Sequence, residues 1–330
     1  MSSNEHSARA LFFTAPETVE LRETELASSE DGVLVESELI GVSHGTEMLI
    51  YNGAFPSSIE EETVSSLAGR QEYPLKYGYV NVGRTQDGRL VFAFFPHQDR
   101  FHCREEDLVY LPADLSAEDA VFLASMETAV GIVHDAAPRL GETVLVLGLG
   151  VVGLLVTELL LRTGVAHVIA ADPLPERRER AALLGAHALD PEEPEAVART
   201  IAEATEGRGV DTSINVSSSS AALQHALDHT VFEGTVVEAS WYGTRPVELE
   251  LGRAFHRRRL HLRSSQVSNI DPALQGRWSK ARRLHFAVEL LRELGPSKYI
   301  THRFDLTRAD EAFRLLKQHP EHVLQIVLTP

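Results

Sequence analysis

Two stretches of this 330-residue chain carry residue types able to do chemistry. The first, GVSHGTE at 41–47, sets the imidazole of His44, the hydroxyl of Thr46 and the carboxylate of Glu47 close together, directly after the apolar-rich run VLVESELI. Such groups hold a metal ion or move a proton; a histidine in a turn also simply fills space through an ordinary hydrogen bond. The second, GLGVVG at 148–153, stands between the strand-like TVLVL and a helix-like run. Gly148 permits the tight turn, Gly150 lets the backbone approach a pyrophosphate, and Gly153 lets the helix pack closely on the strand. Val151 and Val152 open that helix, whose free amides would face the phosphates. Asp172 follows at the end of the next strand, where an acid accepts hydrogen bonds from an adenosine ribose. A carboxylate there repels a 2′-phosphate, so NAD(H) is expected over NADP(H). Arg177 and Arg178 are the counterweight, either as partners of that phosphate or as the solvated face of the helix PERRERAALLGA.

These residues need elements to position them, and the two halves of the chain differ in kind. The first 120 residues or so alternate short β-type runs (ALFFTA, GVLVESELIGV, YVNVG, LVFAFF) with Gly, Asp, Pro and Ser, which implies a mostly β domain. SAEDAVFLASMETAVGIVHDA then reads as a capped helix with acids in its first turn. After it, TVLVLG, HVIAAD, VDTSINV, TVVEAS and RRLHLRSS read as strands. Between them VVGLLVTELLLRTG, PERRERAALLGA, EPEAVARTIAEATEG and AALQHALDHTVFEG read as helices. Strands alternating with helices, and continuous in apolar character, imply right-handed crossovers and a parallel sheet. The last stretch, YITHRFDLTRADEAFRLLKQHPEHVLQIVLTP, returns to strand, helix, strand.

Composition bounds the partners. With 43% hydrophobic residues the chain can bury a large core. Its 31 Lys plus Arg against 48 Asp plus Glu leave a formal charge of −17, which repels nucleic-acid backbones and anionic membranes. One cysteine, Cys103, excludes an internal disulfide and any zinc site of two or more thiolates, and fits a cytoplasmic protein. The N-terminus does not read as a secretory signal, and VLVLGLGVVGLLV is too short and too glycine-broken to span a bilayer.

Taken in order, GVSHGTE, PLKYGYVNVG, FFPHQ, METAVGIVH, GLGVVG and DPLPERRERAALLGA resemble the medium-chain dehydrogenase/reductase superfamily of the zinc alcohol dehydrogenase type, over essentially the whole chain. SxGTE, KYGYxxVG, PHQDRF and META look most like the subgroup that includes the bacteriochlorophyllide hydroxyethyl dehydrogenase. The resemblance implies an α/β protein: a GroES-like β-rich catalytic domain at 1–124, a Rossmann doubly wound parallel-sheet cofactor domain at 125–270, and a segment at 271–330 returning to the catalytic domain. It also implies a homodimer, paired through an edge strand such as RRLHLRS or TVVEAS.

The family's zinc ligands transfer poorly. His44 occupies the cysteine place, Tyr79 the histidine place and Val80 its neighbouring glutamate place, while a glutamate survives as Glu127. One reading makes His44 and Glu127, with Glu47, His97 or His102, an unorthodox metal site. Another has Glu127 orient His44, or serve only as a first-turn helix acid. A third gives Thr46 the family's proton-relay hydroxyl, with Leu49 in place of the distal histidine. The expectation adopted is no metal, with Tyr79 in its stead: a phenol in an apolar pocket polarises a carbonyl oxygen, and with a lowered pKa serves as general acid or base, the alternative being an ordinary core tyrosine. Phe95 and Pro96 would line the substrate pocket. Ser217 to Ser220 and Trp241 fall in loops after cofactor-domain strands, with Ser217 the candidate cofactor contact. The activity implied is hydride transfer between NAD(H) and an alcohol or ketone of a small-molecule substrate. The alternatives are a zinc-independent NADPH quinone or enone reductase, and a dinucleotide-binding sensor without turnover.

Overall fold

Apolar residues alternating with polar ones write the first strands, and the computed structural model, which describes residues 7–26, 32–56 and 72–330, pairs them accordingly. In chain order these are β1 (Ser7–Ala15), β2 (Thr18–Glu25), β3 (Gly32–Val42), the short helix α1 (Thr46–Tyr51), β4 (Leu75–Lys76), β5 (Asn81–Thr85), β6 (Leu90–Ala93), β7 (Arg100–Arg104) and β8 (Leu108–Tyr110). Helices α2 (Ala117–Ala120) and α3 (Leu123–Ala136) follow. Then come β9 (Thr143–Leu147), α4 (Val151–Leu160), β10 (His167–Ala171), α5 (Pro175–Leu184), β11 (His187–Leu189), α6 (Pro194–Thr205), β12 (Val210–Asn215), α7 (Ser220–His229), β13 (Thr230–Glu238), α8 (Ala254–Arg257) and β14 (His261–Ser264). The chain closes with α9 (Lys280–Leu294), β15 (Ile300–Asp305), α10 (Ala309–Gln318) and β16 (Gln325–Thr329).

Two compact units result, one of residues 1–124 with 284–330 and one of 125–283. The return thus begins at Leu284, later than 271, because the start of α9 is tied into the second unit through Arg283. In the first unit β3 is central, antiparallel to β5, β7 and β16, while β2, β1 and β4 form a small separate sheet. Its core gathers Phe13, Ile40, Ile50, Phe313 and Leu328. In the second unit six strands run parallel in the order β11-β10-β9-β12-β13-β14, with β9, β10 and β12 almost wholly buried, which is why they read as unbroken apolar runs. The order reverses direction between β9 and β12, the crevice where doubly wound sheets take ligands.

Three local expectations are corrected. SAEDAVFLASMETAVGIVHDA is two helices, α2 capped by the Ser116 side chain and α3, with Val121 and Phe122 at the break. The helix expected through TVFEG ends at His229, and β-branched Thr230 and Val231 begin β13 instead. TVVE therefore lies inside β13 with neighbours on both sides, leaving β14 as the edge strand of the two candidates. Strands β2, β4, β7, β8 and β11 and the helix α9 went unread. Among the described residues no helix is long and apolar enough to cross a membrane.

Candidate active site and dinucleotide cradle

The cradle forms where β9 gives way to α4. Gly148 turns the chain at φ +95°, and a Cβ there would come within 2.8 Å of Ser217. A Cβ on Gly153 would sit 1.8 Å from the Gly148 carbonyl oxygen, so only glycine lets α4 start against the turn. Gly150, the residue before α4, has nothing within 4 Å of an added Cβ. It is the open face of the turn, where a ligand's phosphates can meet the free amides of the helix. Val151 and Val152 are partly exposed there, whereas Leu149 is fully buried.

Asp172 is 3% exposed and already employed. Its Oδ2 accepts from the Leu149 amide at 2.8 Å and its Oδ1 from the Leu174 amide at 2.9 Å, while Arg177 Nη1 stands 3.6 Å from Oδ2. The carboxylate thus braces the glycine turn from the neighbouring strand. Each oxygen keeps a second lone pair for a ribose hydroxyl. Arg178 turns away to the Asp172 carbonyl at 2.8 Å and to Asp190 at 3.0 Å.

Beyond β12 and β13 lies a polar network the sequence did not advertise. Asn215 Nδ2 donates to Glu238 Oε2 at 2.7 Å, Asn215 Oδ1 accepts from Ser217 Oγ at 2.7 Å, and Glu238 Oε1 accepts from the Ser240 amide at 2.7 Å. The Tyr242 hydroxyl donates to Glu238 at 3.1 Å; burial, then that carboxylate, raises its pKa. Ser217 is therefore held against the turn, whereas Ser219 caps α7 and Trp241 is 37% exposed. A glutamate closing the apolar strand TVVE was the available signal.

A second polar cluster lies in the first unit. Gly78, at φ +120°, leaves room for the His97 ring, which an added Cβ would approach to 2.4 Å. His97 Nε2 meets Glu47 Oε2 at 2.8 Å, both side chains fully buried, and Glu47 Oε1 accepts from the Ser43 amide at 3.0 Å. The side chains of Ser43 and Thr46 hydrogen-bond the Tyr79 hydroxyl. Burial, reinforced by Glu47, pushes that phenol up to about 12. This corrects the lowered pKa considered from sequence: Tyr79 is a neutral donor across the physiological range.

The structure thus brings Thr46 and Tyr79 together and adds Ser43, Glu47 and His97 to them. His44 is half-buried in the turn before α1. Glu127 belongs to the second unit, where its Oε1 accepts from Arg283 Nη2 at 2.9 Å; burial raises its pKa and Arg283 opposes the shift. Val80 is buried hydrocarbon, Pro96 is buried, and Phe95 stacks on Phe101 at 4.1 Å. Among the described residues, no three His, Cys, Asp or Glu gather as metal ligands would.

The family profile described as zinc-binding dehydrogenase matches residues 151–287, from the first residue of α4 into α9. The chain is 35% identical to (R,R)-butanediol dehydrogenase of Bacillus subtilis over 138 residues, 42% of this chain and 40% of that protein. It is 31% identical over 228 residues to an uncharacterized zinc-type alcohol dehydrogenase-like protein, YphC, of Escherichia coli K12, 67% of this chain and 60% of the relative. The matched lengths thus span between two fifths and three fifths of these two relatives. The alcohol dehydrogenase TADH of Thermus sp. ATN1 shares the fold over 97% of this chain and 99% of its own, at a TM-score of 0.74 and 22% identity. A glycine turn on a six-stranded parallel sheet, a β-rich partner unit and these matches together place the chain in the medium-chain dehydrogenase/reductase superfamily.

Proposed function

We propose that the protein is an NAD(H)-dependent oxidoreductase that interconverts a secondary alcohol and its ketone without a catalytic zinc. The observation that carries this reading is the cradle itself: an open Gly150, a closed Gly153, and Asp172 bonded to the turn from the next strand. The butanediol dehydrogenase relative supports a secondary alcohol as substrate class. Asp172 supports NAD(H), whereas Arg177, 3.6 Å from it, favours the NADPH-dependent quinone or enone reductase reading, with which the loss of the zinc ligands is also compatible.

The residues present do not fit the family's zinc. Val80 offers no donor, the phenol of Tyr79 would have to ionise against burial and Glu47, and the carboxylate of Glu127 is already neutralised by Arg283. Purified protein should accordingly carry substoichiometric zinc, with turnover that survives exhaustive chelation. One zinc per chain, lost together with activity on chelation, would refute this.

Tyr79 takes over polarisation of the substrate oxygen. The bound dinucleotide supplies or accepts the hydride at the carbon. In the reducing direction the ketone oxygen gains negative charge, and the phenol, whose phenolate is a far weaker base than an alkoxide, gives it a proton. Ser43 and Thr46 hydrogen-bond the phenolate left behind, and Thr46 keeps the relay position. Tyr79→Phe should lower kcat by on the order of 100-fold while NADH affinity stays unchanged; an unaltered kcat removes Tyr79 from the mechanism. Because folding raises this pKa from 10.0 to about 12, the neutral phenol and its share of stability persist below pH 10 and are lost as pH rises through about 12. The wild-type reduction rate therefore shows no alkaline limb from Tyr79 until that range.

The edge position of β14, with Leu262 partly exposed on it, supports a homodimer formed through that strand. The lone cysteine supports a reducing, cytoplasmic setting.

A further inference from the structure

Arg283 is 1% exposed and its guanidinium is fully engaged. Nε and Nη2 donate to Glu127 Oε1 at 3.1 and 2.9 Å, Nη1 donates to the Asn269 carbonyl at 2.9 Å, and Nη2 also donates to the Val267 carbonyl. Burying such a pair costs desolvation that its attraction only roughly returns, so fold stability alone is a weak reason to keep it. What it holds is more telling. Val267 and Asn269 belong to the segment that leaves the carboxyl end of β14.

Glu127, Gly131 and Asp135 stand four residues apart on α3, on one face. An added Cβ on Gly131 would stand 3.4 Å from Arg283 Nη1, so the guanidinium lies against this face of α3. One turn further on, Asp135 accepts from Ser265 Oγ at 2.6 Å and from Arg263 Nη2 at 3.3 Å. Arg263 Nη2 also donates to Asp271 at 3.1 Å. The segment 265–271 is thus pinned at its start by Asp135 on α3, in its middle by buried Arg283, and at its end by Arg263 of β14. In a doubly wound sheet the adenosine half of a dinucleotide lies over the strands on one side of the reversal, here β9 and β10. The nicotinamide half lies over those on the other side, here β12 to β14.

We propose that Arg283 and Glu127 are positioning residues that shape segment 265–271 to receive the nicotinamide ring. They set affinity for that half of the cofactor and leave the adenosine half alone. This rests on the dinucleotide reading above, and the test separates the two. Calorimetric titrations with NADH and with ADP-ribose, which lacks the nicotinamide, are compared for the wild type, Arg283→Met, Arg283→Lys and Glu127→Gln. Glu127→Gln keeps the side-chain shape and an acceptor for Arg283, so it reports even if the arginine variants fold poorly. NADH binding should weaken about tenfold in Arg283→Met and measurably in Glu127→Gln, with ADP-ribose binding unchanged. Arg283→Lys should not restore it, since an ammonium cannot span the carboxylate and both carbonyls. Equal weakening of both ligands, as general loosening of the fold would give, or no weakening of either, overturns the proposal alone. Failure of the wild type to bind either ligand overturns the cofactor reading and this proposal with it.

Discussion

Gly150→Val eliminates measurable dinucleotide binding and leaves the melting temperature nearly where it was. Gly150 has extended backbone at φ −67°, which valine adopts, and no atom stands within 4 Å of its absent Cβ. Without ligand the substitution costs little. With ligand, the isopropyl group occupies the approach to the amides of α4, an overpacking cost of about 3 kcal/mol, or ~100-fold or more in affinity. Gly153→Val behaves oppositely in the unliganded protein. Its Cβ falls 1.8 Å from the Gly148 carbonyl, so α4 must shift away from the turn, and melting temperature and binding fall together. Titration calorimetry beside thermal melts separates the two. If Gly150→Val binds NADH as the wild type does, the phosphates do not lie where the cradle implies.

Asp172→Asn shifts the preference between cofactors. The wild type should bind NADH at least tenfold more tightly than NADPH, because a carboxylate facing a 2′-phosphate is a like-charge contact that costs several kcal/mol. Asparagine removes that repulsion while Arg177 stays close by, so NADPH affinity rises and NADH affinity falls. The substitution is not silent in the fold. Asp172 accepts from the amides of Leu149 and Leu174, and an asparagine satisfies only one of them, at a cost of about 1–3 kcal/mol. Alanine would abandon both, and its binding data would confuse loss of recognition with collapse of the turn. A wild type that prefers NADPH would reverse the reading of Asp172 and promote Arg177.

How much of this was legible in sequence depended on how local the constraint was. The cradle was, because Gly148, Gly150 and Gly153 meet demands set by residues next to them in a strand-turn-helix. The central parallel strands β9, β10 and β12 were too, since buried strands must be apolar throughout. The boundary between α7 and β13 was not, because TVFEG carries both helical spacing and β-branched residues, and pairing of Val210 with Thr230 decides it. The partnership of Glu47 with His97 spans 50 residues and that of Glu127 with Arg283 spans 156. No periodicity encodes such pairs; only the sheet register and the path of the chain bring them together. Glu127 was singled out through a resemblance, and its actual partner was invisible until α9 was in place. Tyr79 was found by its position, but the direction of its pKa shift depended on burial that a linear sequence does not display.

Cys103 lies in β7, 8% exposed, with its thiol pushed up to about 11 chiefly by burial. A thiol so protonated is a poor nucleophile toward maleimides at neutral pH. The native chain is therefore its own blank for spectroscopic labelling: a cysteine installed at exposed Gln266 would take up a fluorophore selectively, and its emission would report the segment after β14 as cofactor arrives.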